Sequence, residues 1–342
     1  MVKNIFIIIT PFQLAMMKQV FGKEINREDS LILFSENVEL NSNKSALKEQ
    51  VDFGGFSIHE LKKHPLTTIK TYRSKLKAIK LKIIRMLDGR EIELSKVIIG
   101  TDKDNFTQVF LEVIFSKYVN LNRKFELHAV EEGLGYYMKE GPKDTILKIL
   151  YRWLTPSLFG QRIEYHKLLA TDKRIDTIHM RLPELRPRTK SKDGITVQQI
   201  PFKSRNLAKS SKGDGKKVLI YSFPNQDYAI SDQEKYDIYK TLIDKLKGYD
   251  IFVKPHPRES IAIFDRFPEI GLLPGKMIAE EMNYFEYSKI VNFTSSVIID
   301  ILQNDYPADQ VYTIFMKSVG FSLFDSTRCI WINKLDQLNF EI

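Results

Sequence analysis

A single cysteine, Cys329, in a chain of 342 residues excludes an intramolecular disulfide framework and any multi-cysteine zinc site, and it fits a reducing compartment. Within Arg328-Cys329-Ile330-Trp331 it reads as a small apolar residue. No stretch approaches the roughly 18 consecutive apolar residues of a membrane span. The opening run Ile5-Phe6-Ile7-Ile8-Ile9 ends at Thr10-Pro11 with no small-residue cleavage site, which is too short for a signal core. A cytoplasmic protein is therefore expected, one able to lie against the cytoplasmic face of the inner membrane. Repeats of fixed short period and low-complexity tracts are also lacking. Acidic residues are missing from Leu61 to Leu87, where Lys62, Lys63, Lys70, Arg73, Lys75, Lys77, Lys80, Lys82 and Arg85 accumulate.

What is present is ordinary for a packed protein: 43% hydrophobic and 28% charged residues, which excludes a disordered, collagenous or coiled-coil chain. The net charge of +9 suits anionic surroundings, whether nucleic acid, a phospholipid surface or a phosphorylated substrate. The length suggests two domains. In the basic segment, Ile69, Tyr72, Leu76, Ile79, Ile83 and Leu87 recur at helical spacing and form one apolar stripe with the cations elsewhere around the helix. Such a helix either faces a core with a solvated basic side or lies on an anionic membrane.

Short β-branched runs alternate with helical patterns, the signature of parallel α/β sheets. Strands are expected at Ile5 to Ile9, Leu31 to Phe34, Val97 to Ile99 and Phe125 to Val130, with helices at Phe12 to Phe21, Ser42 to Gln50 and Asn105 to Tyr118. A second series has strands at Val218 to Phe223, Asp250 to Lys254, Lys289 to Phe293 and Val311 to Phe315, and helices at Ser231 to Leu246, Met277 to Tyr287 and Ser296 to Leu302. Between them, Pro183 to Lys217 is rich in Pro, Ser, Gly and basic residues. The expected division is 1–200 as an N-terminal, acceptor-side domain, 201–216 as a linker and 217–342 as a C-terminal, donor-binding domain. Thr145 to Phe159, rich in large apolar residues, reads as a helix packed into the first domain, with Tyr151 and Trp153 as the alternative sugar- or lipid-facing rings.

Open α/β sheets bind ligands where their strands end, and three strand ends carry chemistry. Glu131-Glu132-Gly133-Leu134-Gly135 pairs two carboxylates with glycines. Adjacent like charges raise one pKa, and a carboxylate so poised accepts a proton from a substrate hydroxyl. Lys254-Pro255-His256-Pro257-Arg258 stiffens a turn with two prolines and sets His256 among cations that suit a phosphate. Asn292-Phe293-Thr294-Ser295-Ser296 precedes a helix, where hydroxyls and amides bind phosphate or simply cap the helix. Asp102-Lys103-Asp104 also follows a strand. Its spacing is one by which sugar-nucleotide transferases hold a metal; the alternative is a place in the acceptor site.

Taken in this order, Thr10-Pro11-Phe12-Gln13, Glu131-Glu132-Gly133, Lys254-Pro255-His256-Pro257-Arg258 and Ser295-Ser296 resemble the bacterial sialyltransferases, in particular the lipooligosaccharide sialyltransferases of glycosyltransferase family 52. More distantly, the set is similar to other bacterial sialyl- and polysialyltransferases. The resemblance implies a GT-B-type α/β fold, two Rossmann-like parallel-sheet domains facing a central cleft. It also implies CMP-sialic acid as donor, a glycan or glycolipid acceptor, inversion at the anomeric carbon, no metal or other cofactor, and a homodimer. By position, Glu131 would be the general base with Glu132 supporting it, and His256 would assist departure of CMP. Lys254, Pro257, Arg258, Asn225, Thr294, Ser295 and Ser296 would contact the donor, and Glu280 or Glu281 would hold its ribose. Thr10, Gln13, Asp102 and Asp104 fall to the acceptor side. Some relatives have Asp in the acidic pair, and the family-52 base is an Asp in the loop that here reads Ser222-Phe223-Pro224-Asn225-Gln226-Asp227. The base is thus one of Glu131, Glu132 and Asp227. Other readings are a transferase using a different nucleotide sugar, such as a glucosyltransferase, and a non-enzymatic basic protein that binds membrane or nucleic acid. No recognised nucleic-acid motif is present, and no nucleic-acid partner is expected.

Overall fold

A computed structural model describes residues 1–36, 38, 40, 46–51, 65–119, 124–137, 146, 149, 153–157, 169–186, 194–200, 216–225, 230–256, 258–275, 277, 279, 282–293, 295, 297–304, 306–307, 310–314 and 330–332. The chain divides into two compact units, Met1–Ile200 and Pro201–Ile342.

The first unit is built on β1 (Val2–Ile8), β2 (Ser30–Phe34), β3 (Leu47–Gln50), β4 (Ile92–Ile99), β5 (Glu126–Val130), β6 (Thr177–Met180) and β7 (Thr196–Gln199). They form one sheet of order β3-β2-β1-β4-β5-β6-β7, and every neighbouring pair is parallel. Ile5 to Ile8 are buried, as a continuous β-branched and aromatic run requires when a strand is covered on both faces. Helix α1 (Pro11–Phe21) starts sharply because Pro11 follows a capping box: the Thr10 hydroxyl accepts from the Gln13 amide, and the Gln13 side chain accepts in return from the cap backbone. Helix α2 (Pro65–Asp88) packs against α3 (Asn105–Val119). Tyr72, Leu76, Ile83 and Leu87 are buried under it and Ile69 and Ile79 partly so, and the basic residues from Lys70 to Arg85 lie on the exposed side.

The second unit carries β8 (Lys217–Tyr221), β9 (Asp250–Lys254), β10 (Ile270–Leu272), β11 (Lys289–Asn292), β12 (Val311–Ile314) and β13 (Ile330–Ile332), in the order β10-β9-β8-β11-β12-β13. It too is parallel throughout. Helix α4 (Asp232–Lys245) begins with a Ser231/Glu234 capping box and buries Tyr239 and Leu242, while α5 (Val297–Gln303) follows β11. No helix among the described residues is long and apolar enough to cross a membrane.

Several sequence expectations change. Leu47 to Gln50, expected as the end of a helix, is the edge strand β3, because pairing with β2 overrides the weak strand preference of Leu-Lys-Glu-Gln. Of the helix expected over Met277 to Tyr287, the described residues show 3-10 structure, at Ala279 and at Tyr284–Glu286, and no α-helix. The polar stretch from Pro183 contains an exposed edge strand, β7. Ile146, Ile149, Trp153 and Leu154, expected in the core, are exposed; Tyr151 and Cys329 lie outside the described residues.

Candidate active site

In both sheets the strand order reverses once, at β1/β4 and at β8/β11, and such switch points are where doubly wound sheets open a crevice beyond their carboxyl ends. In the first unit Ile7, Ile99 and Ala129 are in register across β1, β4 and β5. The residues that follow, Ile9 to Gln13, Gly100 to Asp104 and Glu131 to Gly133, therefore emerge side by side. Gly133 has φ of 130°, a left-handed backbone that turns the chain straight after the acidic pair.

The two carboxylates differ completely. Glu131 is 0% exposed, as is Arg181, which follows β6. Glu131 Oε1 accepts from Arg181 Nε at 2.9 Å and Nη2 at 2.6 Å, and Oε2 accepts from the Arg181 amide at 2.7 Å and the Tyr137 hydroxyl at 2.6 Å. Both oxygens are saturated by this pairing, which locks β5 to β6. Glu132 has its Oε2 buried with no hydrogen-bond partner. Burial, and then the nearby Asp104 charge, push its carboxyl up to about 7, against the Thr101 and Gln13 side chains and Lys103, which favour the anion.

Asp104 caps α3, its Oδ1 accepting from the Thr107 amide at 2.8 Å, and its Oδ2 is buried without a partner. Burial raises it to about 6, with Asp102 adding to the rise and the Thr107 bonds opposing it. Glu132 and Asp104 are thus both raised toward neutrality, and the Asp104 charge contributes to the rise of Glu132. Asp102 is spoken for: its carboxylate accepts from the amides of Ala170, Thr171 and Asp172 at 2.8–3.0 Å. It clamps that loop, in which Ala170 has φ of 56°. Gln13 is fully buried. Its Oε1 accepts from Ile9 N at 2.6 Å, which leaves Nε2 as a buried donor without a partner.

Gly100 makes room for that side chain, since a Cβ there would stand 2.2 Å from Gln13 Cδ and 2.5 Å from Nε2. Gly100→Ala is expected to expel Gln13 from its cap and to cost about 1–3 kcal/mol in urea unfolding. A stability within a few tenths of a kcal/mol of wild type would refute this packing.

In the second unit Tyr221 pairs with Lys254 and with Asn292, so Ser222, His256 and Ser295 leave the sheet together. The anchor of the proline turn is Glu259, buried with Lys235, to which it is ion-paired. Its Oε1 also accepts from the Ser222 hydroxyl at 2.7 Å, and its Oε2 from the His256 amide at 2.8 Å. The Arg258 amide donates to His256 Nδ1 at 3.1 Å. That bond selects the neutral tautomer with the proton on Nε2, so the ring is a donor at that atom. Lys254 is buried and donates to the Pro255 and Gly275 carbonyls at 2.7 and 2.9 Å. Ser295 sits at the start of α5, its amide donating to Asn292 Oδ1 at 3.1 Å, and Asn225 donates to Asp232 at 2.6 Å. Asp227, Pro257, Glu280, Glu281, Thr294 and Ser296 lie outside the described residues.

Sequence reasoning missed Arg181, Tyr137, Thr101, Glu259 and Lys235. A signal existed for Lys235, which shares the i, i+4, i+7, i+8 stripe of Tyr239, Leu242 and Ile243, a charge on a buried helix face.

Residues 4–301 match the model of the alpha-2,8-polysialyltransferase family. An uncharacterized protein of Haemophilus influenzae is 26% identical over 100 residues, covering 28% of this chain and 31% of that protein, so the match spans under a third of the relative's length. Among solved structures, the UDP-GlcNAc 2-epimerase of Methanocaldococcus jannaschii in complex with UDP-GlcNAc and UDP is similar with a TM-score of 0.50. It is 12% identical, covering 91% of this chain and 83% of that one. The apo structure of OtsA also has a TM-score of 0.50 at 9% identity, covering 91% and 84%. These likenesses give the fold as the GT-B type, with two parallel-sheet units.

Proposed function

Because the chain belongs to the alpha-2,8-polysialyltransferase family, we propose that it transfers sialic acid from CMP-sialic acid to a sugar hydroxyl of a surface glycan, with inversion and without a metal. The family description points to the 8-hydroxyl of an acceptor sialic acid. The observation that carries the reading is Glu132, a carboxylate raised to about 7 with a buried oxygen lacking a partner at the switch point of the first sheet. A general base works best with a pKa near the operating pH. Glu131, neutralised by Arg181 and filled with donors, holds the strand end that presents Glu132.

The proposed step breaks the bond from the anomeric carbon to the CMP phosphate oxygen and forms one from that carbon to the acceptor oxygen. The acceptor proton passes to Glu132, and CMP leaves with the bonding electron pair. The developing phosphate charge is met by a hydrogen bond from His256 Nε2, whose ring and backbone are oriented by the Arg258 amide and Glu259.

The test is calorimetry with CMP, UDP, GDP and AMP in EDTA, alongside CMP release from CMP-sialic acid with an oligosialic acceptor. Selective CMP binding and acceptor-dependent release are expected, and His256→Ala should lower turnover about 10²–10³-fold with an unchanged urea midpoint. UDP selectivity would replace this reading with hexosyl transfer, and near-normal turnover of His256→Ala would remove its role.

A further inference from the structure

We propose that the helical layer on one face of the first sheet docks on an anionic lipid surface, through apolar side chains around Trp153 and cations of α2. The connections β3 to β4, β4 to β5 and β5 to β6 all advance in the same direction along the sheet. Right-handed crossovers place the helices of such connections on a common face. Helices α2 and α3, which touch, share that face with the helical residues Ile146, Ile149 and 153–157 of the β5 to β6 connection. Neither outward side is covered by the sheet.

Ile146, Ile149, Trp153 and Leu154 are 59%, 54%, 77% and 50% exposed, and each is helical. Apolar residues scattered singly on a surface need no explanation, but four large exposed ones between 146 and 154, headed by tryptophan, mark an interaction site. On α2, Lys70, Arg73, Lys77 and Lys80 follow at i, i+3, i+7 and i+10, all exposed. No acidic residue accompanies them between 61 and 87. The salt bridges among the described residues draw their cations from other places, and of this helix only the terminal Asp88 takes part, paired with Lys117. Leu81 is 44% exposed in the same helix.

A row of cations on the same face of the sheet as exposed Trp, Ile and Leu side chains has the composition of the bilayer interface, where rings settle at headgroup depth and cations meet acidic lipids. A polyanion such as a nucleic acid or an acidic glycan would use the cations alone. The inference is independent of the donor proposed above.

The test uses the full chain with vesicles of phosphatidylcholine alone or with phosphatidylglycerol added, read by flotation and by quenching of tryptophan emission with brominated acyl chains. Binding is expected only to the anionic vesicles and should weaken with salt. The quenching should vanish in Trp153→Phe, a readout made simple by a total of two tryptophans. Removing one cation should weaken partitioning about fivefold, so Lys77→Ala with Lys80→Ala lowers it about 25-fold. Trp153→Ser should lower it at least about tenfold. Equal binding to neutral vesicles, no binding, or anionic adsorption without Trp153 quenching would each overturn the proposal; the last, with binding of soluble polyanions, would assign the cations to another ligand. These side chains are exposed, so the variants should keep the wild-type fold.

Discussion

Glu132→Gln is expected to lower turnover by about 10²–10⁴-fold, the loss that follows removal of a general base, while the protein becomes more stable at neutral pH. The folded carboxyl is raised from 4.5 to about 7, so the folded state holds the proton more tightly than the unfolded chain. The stability from this group is complete below pH 4.5 and is lost as pH rises through about 7. The loss above neutrality is on the order of 3 kcal/mol. Glutamine carries no charge to desolvate and should recover much of it. Activity runs the other way, because the base must be ionised. The acid limb of kcat/KM should therefore rise to a plateau with an apparent pKa near 7. Asp104→Asn removes the like charge that helps raise Glu132, so it should move that limb to lower pH and leave a weaker base. Near-normal turnover of Glu132→Gln would take the base away from this position. An acid limb unmoved in Asp104→Asn would end the coupling.

The parts that hold these groups were unequally legible in the sequence. The buried runs Ile5 to Ile8 of β1, Val97 to Ile99 of β4 and Val218 to Tyr221 of β8 announce themselves because a stretch covered on both faces must be apolar. Helix α4 does so because Ser231 and Glu234 form a capping box. Strands β3 and β7 were illegible: Leu47-Lys48-Glu49-Gln50 and Thr196-Val197-Gln198-Gln199 lie at the two ends of the sheet. A neighbour's hydrogen-bond ladder, not composition, makes such edges extended.

The acidic pair, the proline turn and Ser295 were legible as chemistry at strand ends, but the division of labour within the pair was not. Two adjacent glutamates look alike in a sequence. Which one is neutralised depends on Arg181, 50 positions away, carried there by a four-residue strand, β6, too short to stand out. Asp102 illustrates the same limit. It has the spacing of a metal-binding or acceptor-facing carboxylate, yet three amides from a loop 68 to 70 positions on occupy it. His256 stands out in the sequence through its place just after a strand and its flanking cations Lys254 and Arg258. Glu259, which fixes it, looks like any loop glutamate until Lys235 is seen buried beside it.

Arg181→Met is expected to destabilise the first unit by about 3–5 kcal/mol, because it strands Glu131 as an uncompensated charge in a fully enclosed place. The guanidinium, which also lies 5.1 Å from the centre of the Phe12 ring, is replaced by a side chain of similar reach, so the loss is chiefly electrostatic. Glu131→Gln alone should be costly for the mirror reason, since Arg181 then loses its counter-ion. The double variant Glu131→Gln with Arg181→Met should be more stable than the sum of the single losses predicts, for neutral side chains of similar shape leave no buried charge and an amide oxygen can still accept from the Tyr137 hydroxyl and the backbone. Urea unfolding of the four proteins gives the coupling directly, and additive losses would show that the pair is not interacting. The same double variant separates the two glutamates as catalysts. It removes the carboxylate of Glu131 and keeps Glu132 on its strand end, so a folded double variant with substantial turnover rules out Glu131 and, together with an inactive Glu132→Gln, assigns the base to Glu132, whereas a folded but inactive one returns it to Glu131.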